Sequence, residues 1–130
     1  MAGIKVSKVK KFEKLHNIEL PRDDISETGV VGTILLHPEY IYKSEYLKPI
    51  HFYNRELATI YYIIKSLKDK GIEEIDNFLI INEIQGNNAL RNTINEYDDI
   101  VRDLNGWLND LKLVARTDIE GYELIAKKVL

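Results

Sequence analysis

An all-α fold is what this sequence predicts, a compact bundle of short helices followed by a long antiparallel helical hairpin. Three observations predict it. Apolar residues recur at three- and four-residue spacings through most of the chain. Capping residues stand before those apolar runs, and glycines or prolines stand after them. No stretch alternates cleanly between apolar and polar residues, so strand signals are weak throughout.

The first clear helix begins near Asp24. Asp24 is a candidate cap, and Glu27, three residues on, completes the pattern of a capping box. Ile25, Val31, Ile34 and Leu35 form its apolar stripe. Gly29 and Gly32 lower helix propensity, which makes sense where another helix backbone comes close. His37-Pro38 ends the helix, because the residue before proline avoids the α region. Pro38 suits the first turn of a short helix carrying Ile41 and Leu47. A packed turn follows, Leu47 to Tyr53, containing Pro49, His51 and Phe52.

Asn54 can cap the next helix, whose stripe is Leu57, Ile60, Tyr61, Ile64 and Leu67. It finishes with Lys68 and Lys70 before Gly71, which suits both the helix dipole and a left-handed terminal residue. Asp76 caps a further helix through Phe78, Leu79, Ile81 and Ile84, stopping at Gly86. Beyond it, Leu90, Ile94, Tyr97, Val101, Leu104, Leu108, Leu111 and Ala115 alternate in steps of four and three, a heptad seam. Ile100, Trp107 and Val114 recur every seven residues beside it and widen the face, although Gly106 interrupts the run. Thr117 and Glu120 form a second capping box, opening a helix with Ile119, Tyr122, Leu124, Ala126 and Val129. The short connection predicts that these last two helices are antiparallel neighbours. The organisation expected is a basic leader over 1–19, a globular bundle over 20–86 and a hairpin over 87–130, one structural domain in all.

Composition narrows the function. The chain has 130 residues, 45% of them hydrophobic and 30% charged, ordinary for one globular domain. It has no cysteine, so disulfides and thiolate metal sites are excluded. No apolar run approaches the ~20 residues that span a bilayer, and the N-terminus lacks the apolar core of a signal peptide. The expected location is cytoplasmic, with no membrane partner. A net charge of -3 disfavours a dedicated nucleic-acid binder. Lys5, Lys8, Lys10, Lys11 and Lys14 are the local exception. They read as a solvated leader or as an arm that contacts phosphates weakly.

Catalytic signatures are missing from the sequence. There is no GxxxxGK[ST] or GxGxxG phosphate loop, so no nucleotide or other cofactor is expected. His16, His37 and His51 have no ligand-type partner at helical spacing, so no metal is expected. Glu73-Glu74 and Asp98-Asp99 point to different faces of any helix, and Ser7, Ser26, Ser44 and Ser66 sit in no nucleophile elbow. The chain therefore reads as a non-enzyme, with no catalytic residue. Its tyrosines read as packing rather than base stacking. Trp107 is either plain core or an interface anchor.

Taken in order, these motifs resemble those of the N-terminal domain of DnaB-family replicative helicases. The resemblance runs from about residue 20 to 115. It rests on Leu20-Pro21, Glu27, Val30-Val31-Gly32, an aliphatic run, and the His37-Pro38 stop. It continues with His51-Phe52-Tyr53, Ile60-Tyr61, Leu67 to Gly71, Ile75-Asp76, and Tyr97 to Ile100-Val101. The stretch from Gly86 to Tyr97 is shorter than usual for the family, and Thr59 stands where the family has a basic residue. The resemblance implies an all-α collar domain of a hexameric motor, in a chain lacking the ATPase part. It implies self-association through the hairpin, with Tyr97, Val101, Leu104, Trp107, Leu108, Leu111 and Val114 as interface candidates. It also implies docking of primase or a helicase loader. The helicase-binding C-terminal region of a primase, a phage replication accessory protein, and a DNA-binding module using the lysine arm are the competing readings.

Overall fold

The computed structural model describes residues 24–95 and 103–130. All regular structure among these residues is helical. Helix α1 spans Asp24–Leu36 and is followed by 3₁₀ segments at Pro38–Ser44 and Pro49–His51. Then come α2 (Arg55–Asp69), α3 (Asn77–Gln85), α4 (Asn88–Asn95), α5 (Leu104–Lys112) and α6 (Ile119–Val129). None of the described helices is long and apolar enough to cross a membrane.

α1 is the axis of the fold. α2, α5, α6 and the Pro38–Ser44 segment all pack on it. Its sequence is apolar or small on nearly every side, and Ser26 to Leu35 are all buried. A helix of that kind belongs inside a bundle rather than on its surface. Two of its buried hydroxyls are satisfied within the helix: Thr28 Oγ1 donates to the Asp24 carbonyl at 2.8 Å and Thr33 Oγ1 to the Gly29 carbonyl at 2.6 Å. Ile25 departs from the expected stripe, being 84% exposed.

Local signals set several helix ends. The Asn54 side chain accepts from Leu57 N at 3.0 Å and opens α2. After α2 the chain reverses at Gly71, whose φ of 88° lies in the left-handed region that glycine enters without strain. Asp76 opens α3 by accepting from Leu79 N at 2.9 Å. The buried face of α3 is Ile80 and Ile84, with Leu79 and Ile81 partly buried against the core. Phe78, expected on the apolar stripe, faces outward.

The C-terminal third differs from the expected hairpin. The heptad spacing continues across residue 103, but the helix does not. Asp103 has φ -149° and ψ 74°, and its side chain accepts from Gly106 N at 2.8 Å, so α5 starts afresh at Leu104. Apolar spacing cannot register a break when an N-cap supplies it. α5 also ends at Lys112, before Ala115. α5 and α6 each pack mainly on α1 and touch each other little, so they are not the antiparallel pair that the short connection predicts. The cap of α6 is Asp118, which accepts from Gly121 N at 2.8 Å, one residue after the expected Thr117. Buried residues run from Val30 to Val129 in one core, so the last helices complete the core that the earlier ones begin.

Candidate functional site

The Glu27 carboxylate is the most informative group in the fold. Its Oε2 accepts from Tyr53 N at 2.8 Å and its Oε1 from Asn54 N at 3.0 Å. Glu27 is 2% exposed. Glu27, expected in a capping box at the start of its own helix, forms a long-range cap on the entry to α2. A carboxylate is favourable there because the first backbone N–H groups of a helix have no partner within it and carry the positive end of the dipole. Arg55 adds a further tie across this entry, donating from Nη1 to the Phe52 carbonyl at 2.8 Å.

Phe52, 1% exposed, packs on Tyr61 with ring centroids 5.0 Å apart and planes tilted by 42°. The Tyr61 hydroxyl lies 3.1 Å from the Leu47 carbonyl and 3.2 Å from that of Ser44. Ser44 Oγ is 3.2 Å from the Tyr61 hydroxyl and 2.7 Å from that of Tyr122, and it donates to the Ile41 carbonyl at 3.1 Å. Burial pushes the Tyr61 and Tyr122 phenols above the ordinary range, with the hydrogen bond to Ser44 acting in the opposite direction. Tyr46 is raised by its burial and then by the nearby Glu123 charge. Nothing in the spacing of Ser44, Tyr61 and Tyr122 foretells this cluster, because it joins residues from three separate elements.

Gly32 allows a close crossing. A Cβ built there would collide with the Leu111 carbonyl oxygen and sit 3.0 Å from its carbon, with Val114 Cγ2 at 3.5 Å. The chain after α5 is held to the same face of α1 by Arg116 N, which donates to Thr33 Oγ1 at 2.8 Å. Pro38 is buried at the first position of its 3₁₀ segment. Ile60 is fully buried in α2, and Asp76 and Gly71 serve as helix start and stop. Those residues that carry the resemblance and lie among the described ones hold the architecture together, while Leu20, Pro21, Tyr97, Ile100 and Val101 lie outside the described residues.

The interface candidates divide into three groups. Tyr97 and Val101 lie outside the described residues. Trp107, Leu108 and Leu111 are buried in the chain's own core, and Leu104 is partly buried against it. Their apolar surface is taken up inside the single chain, so for Trp107 the burial favours the core reading. Val114 is 43% exposed, and its neighbour Leu113 is 68% exposed. Leu36, one helical turn beyond Gly32 on α1, is also exposed. Leu113 and Leu36 fall outside the heptad seam, so spacing alone does not point to them.

Among the described residues no group of three His, Cys, Asp or Glu side chains is placed to hold a metal ion. The Trp107 Nε1 is buried and meets no acceptor among them. At the base of α5, Asn77 Nδ2 donates to Asn105 Oδ1 at 2.8 Å and to Asn109 Oδ1 at 2.9 Å, joining α3 to α5. This arrangement fixes the two helices in place.

No curated protein and no solved structure matched the chain. A family model did: residues 19–106, from before α1 through the first turn of α5, match the DnaB-like helicase N terminal domain, and this chain belongs to that family.

Proposed function

We propose that this chain is the N-terminal collar domain of a replicative DNA helicase, pairing subunits and docking primase or a helicase loader. The family match over residues 19–106 carries the reading. In this reading the chain itself performs no ATP chemistry, in keeping with the absence of a phosphate loop from its sequence. The parent protein would supply the motor.

The exposed apolar side chains around the α5–α6 connection support the pairing part. Leu113, Val114 and Leu36 are all substantially exposed. Val114 reaches the Gly32 face of α1, and Leu36 is the next residue of that face toward the C-terminal end of the helix. Exposed apolar groups of this kind favour contact with another protein surface.

Light scattering coupled to size-exclusion chromatography tests it. The chain should run as a dimer or larger species at ~100 μM, and Val114→Glu should move it toward monomer without lowering its melting temperature. A chain that stays monomeric at that concentration overturns the pairing assignment.

A further inference from the structure

The Pro49 turn, the first half of α2 and the start of α4 leave an open cleft of about 350 Å³. Pro49, Ala58, Ala89 and Leu90 give it an apolar lining, and Thr59, Tyr62 and Asn87 line it as well. Tyr62 is 50% exposed, and Ile50, next to Pro49, is 79% exposed. Arg55 is the one charged side chain that lines the cleft. No carboxylate faces the Arg55 guanidinium from the lining, although the chain as a whole carries a net charge of -3.

Arg55 is well placed to receive an anion. The hydrogen bond from its Nη1 to the Phe52 carbonyl fixes the direction of the side chain. A guanidinium has five N–H donors, so others remain for a ligand. Among the described residues Arg55 forms no ion pair. A planar fork in an otherwise largely apolar lining matches a carboxylate next to a large apolar side chain.

We propose that this cleft docks an acidic peptide segment of a partner protein. One large apolar side chain of the peptide packs on the apolar lining, which includes Pro49 and Leu90, and a flanking carboxylate is forked by Arg55. A nucleic-acid strand is a poorer match, since its affinity depends on several cations neutralising successive phosphates. The inference rests on the docking part of the function proposed above and adds the place and the chemistry of the partner.

The test is fluorescence anisotropy of the whole chain with a labelled peptide, Asp-Asp-Glu-Phe-Asp-Glu. Saturable binding is expected, falling as salt rises. Arg55→Ala should weaken it about tenfold, with Arg55→Lys between the two because it keeps the charge and loses the fork. Replacing the peptide's phenylalanine with serine should weaken it by a similar factor. Melting curves for both Arg55 variants establish that the fold is intact. Tyr62→Ala provides a second route into the cleft without touching the Phe52 carbonyl bond. The proposal is overturned if no saturable binding occurs, if Arg55→Ala and Tyr62→Ala both leave it unchanged, or if a single-stranded oligonucleotide competes as well as the unlabelled peptide does. A self-associating chain that ignores the peptide defeats the cleft alone. A monomeric chain that binds it defeats subunit pairing alone.

Discussion

Glu27 Oε1 lies 3.0 Å from Asn54 N, in a site where Glu27 is 2% and Asn54 6% exposed. One carboxylate thereby closes the entry to α2 from across the core, while the Asn54 side chain closes it locally. The two caps take different N–H groups, Glu27 those of Tyr53 and Asn54 and the Asn54 side chain that of Leu57.

Removing the Glu27 carboxylate therefore leaves two backbone donors without that acceptor. Glu27→Ala should destabilise the fold by roughly 3 kcal/mol, and Glu27→Gln by less because its amide oxygen still accepts one bond. Urea unfolding midpoints measure both. A loss under about 1 kcal/mol for the alanine variant would mean that water replaces the carboxylate at no great disadvantage.

Gly32→Ala and Gly29→Ala should behave differently. Both gain helix propensity, up to about 1 kcal/mol. At Gly32 the added methyl meets the Leu111 backbone, which can move only with α5. At Gly29 it meets Ile125 Cδ1 at 3.0 Å, the flexible end of a side chain. Gly32→Ala should lower stability by about 1–3 kcal/mol, and Gly29→Ala should lie close to neutral. A higher melting temperature for Gly32→Ala would show that α5 is free to shift.

The phenols of Tyr61 and Tyr122 make stability fall in alkali. Burial raises both above the ordinary tyrosine value of about 10, so the fold favours their neutral forms. Stability from a raised group is complete below the unfolded value and is lost as pH climbs toward the folded one. Unfolding midpoints should be flat from about pH 8 to 9.5 and fall steeply above about 10. Tyr122→Phe should cost about 1 kcal/mol at neutral pH and make the alkaline fall shallower. An unchanged alkaline slope in that variant would place the titrating group elsewhere.

Trp107 is 4% exposed, and its Nε1 has no acceptor among the described residues. Trp107→Ala should cost roughly 3–5 kcal/mol by opening a cavity. Trp107→Phe should cost much less, because no hydrogen bond is lost with the indole N–H. Calorimetric melting of the two variants checks the order. Near-equal losses would mean that the indole N–H has a partner after all.

What could be read from the sequence was what is decided locally. Asn54, Gly71 and Asp76 each act within a few residues, and their positions alone identify helix ends. Where a second element competes, spacing misleads. Glu27 has the spacing of a local cap, and that spacing gives no sign that it serves a distant helix. The heptad run passes through Asp103 because apolar period and helix continuity are separate properties. Phe78 and Leu124 fit apolar stripes yet are exposed, since which neighbours a helix meets is settled by tertiary packing. The hydroxyl cluster and the Arg55 cleft each draw on several elements, so neither leaves a trace in any single stretch of sequence.

The Ser44–Tyr122 and Thr33–Arg116 bonds span 78 and 83 positions of chain. Closing loops of that size grows only logarithmically more costly with length, but contacts so far apart in sequence tend to form late. During synthesis, α1 and α2 can meet while the C-terminal segment is still inside the ribosome. Until residue 122 emerges, the Ser44 hydroxyl lacks its shortest partner. The residues matched to the family end at 106, before Arg116 and Tyr122, which make these two bonds. α6 packs on α1, so a nascent chain should gain protease resistance only once α6 has joined the core.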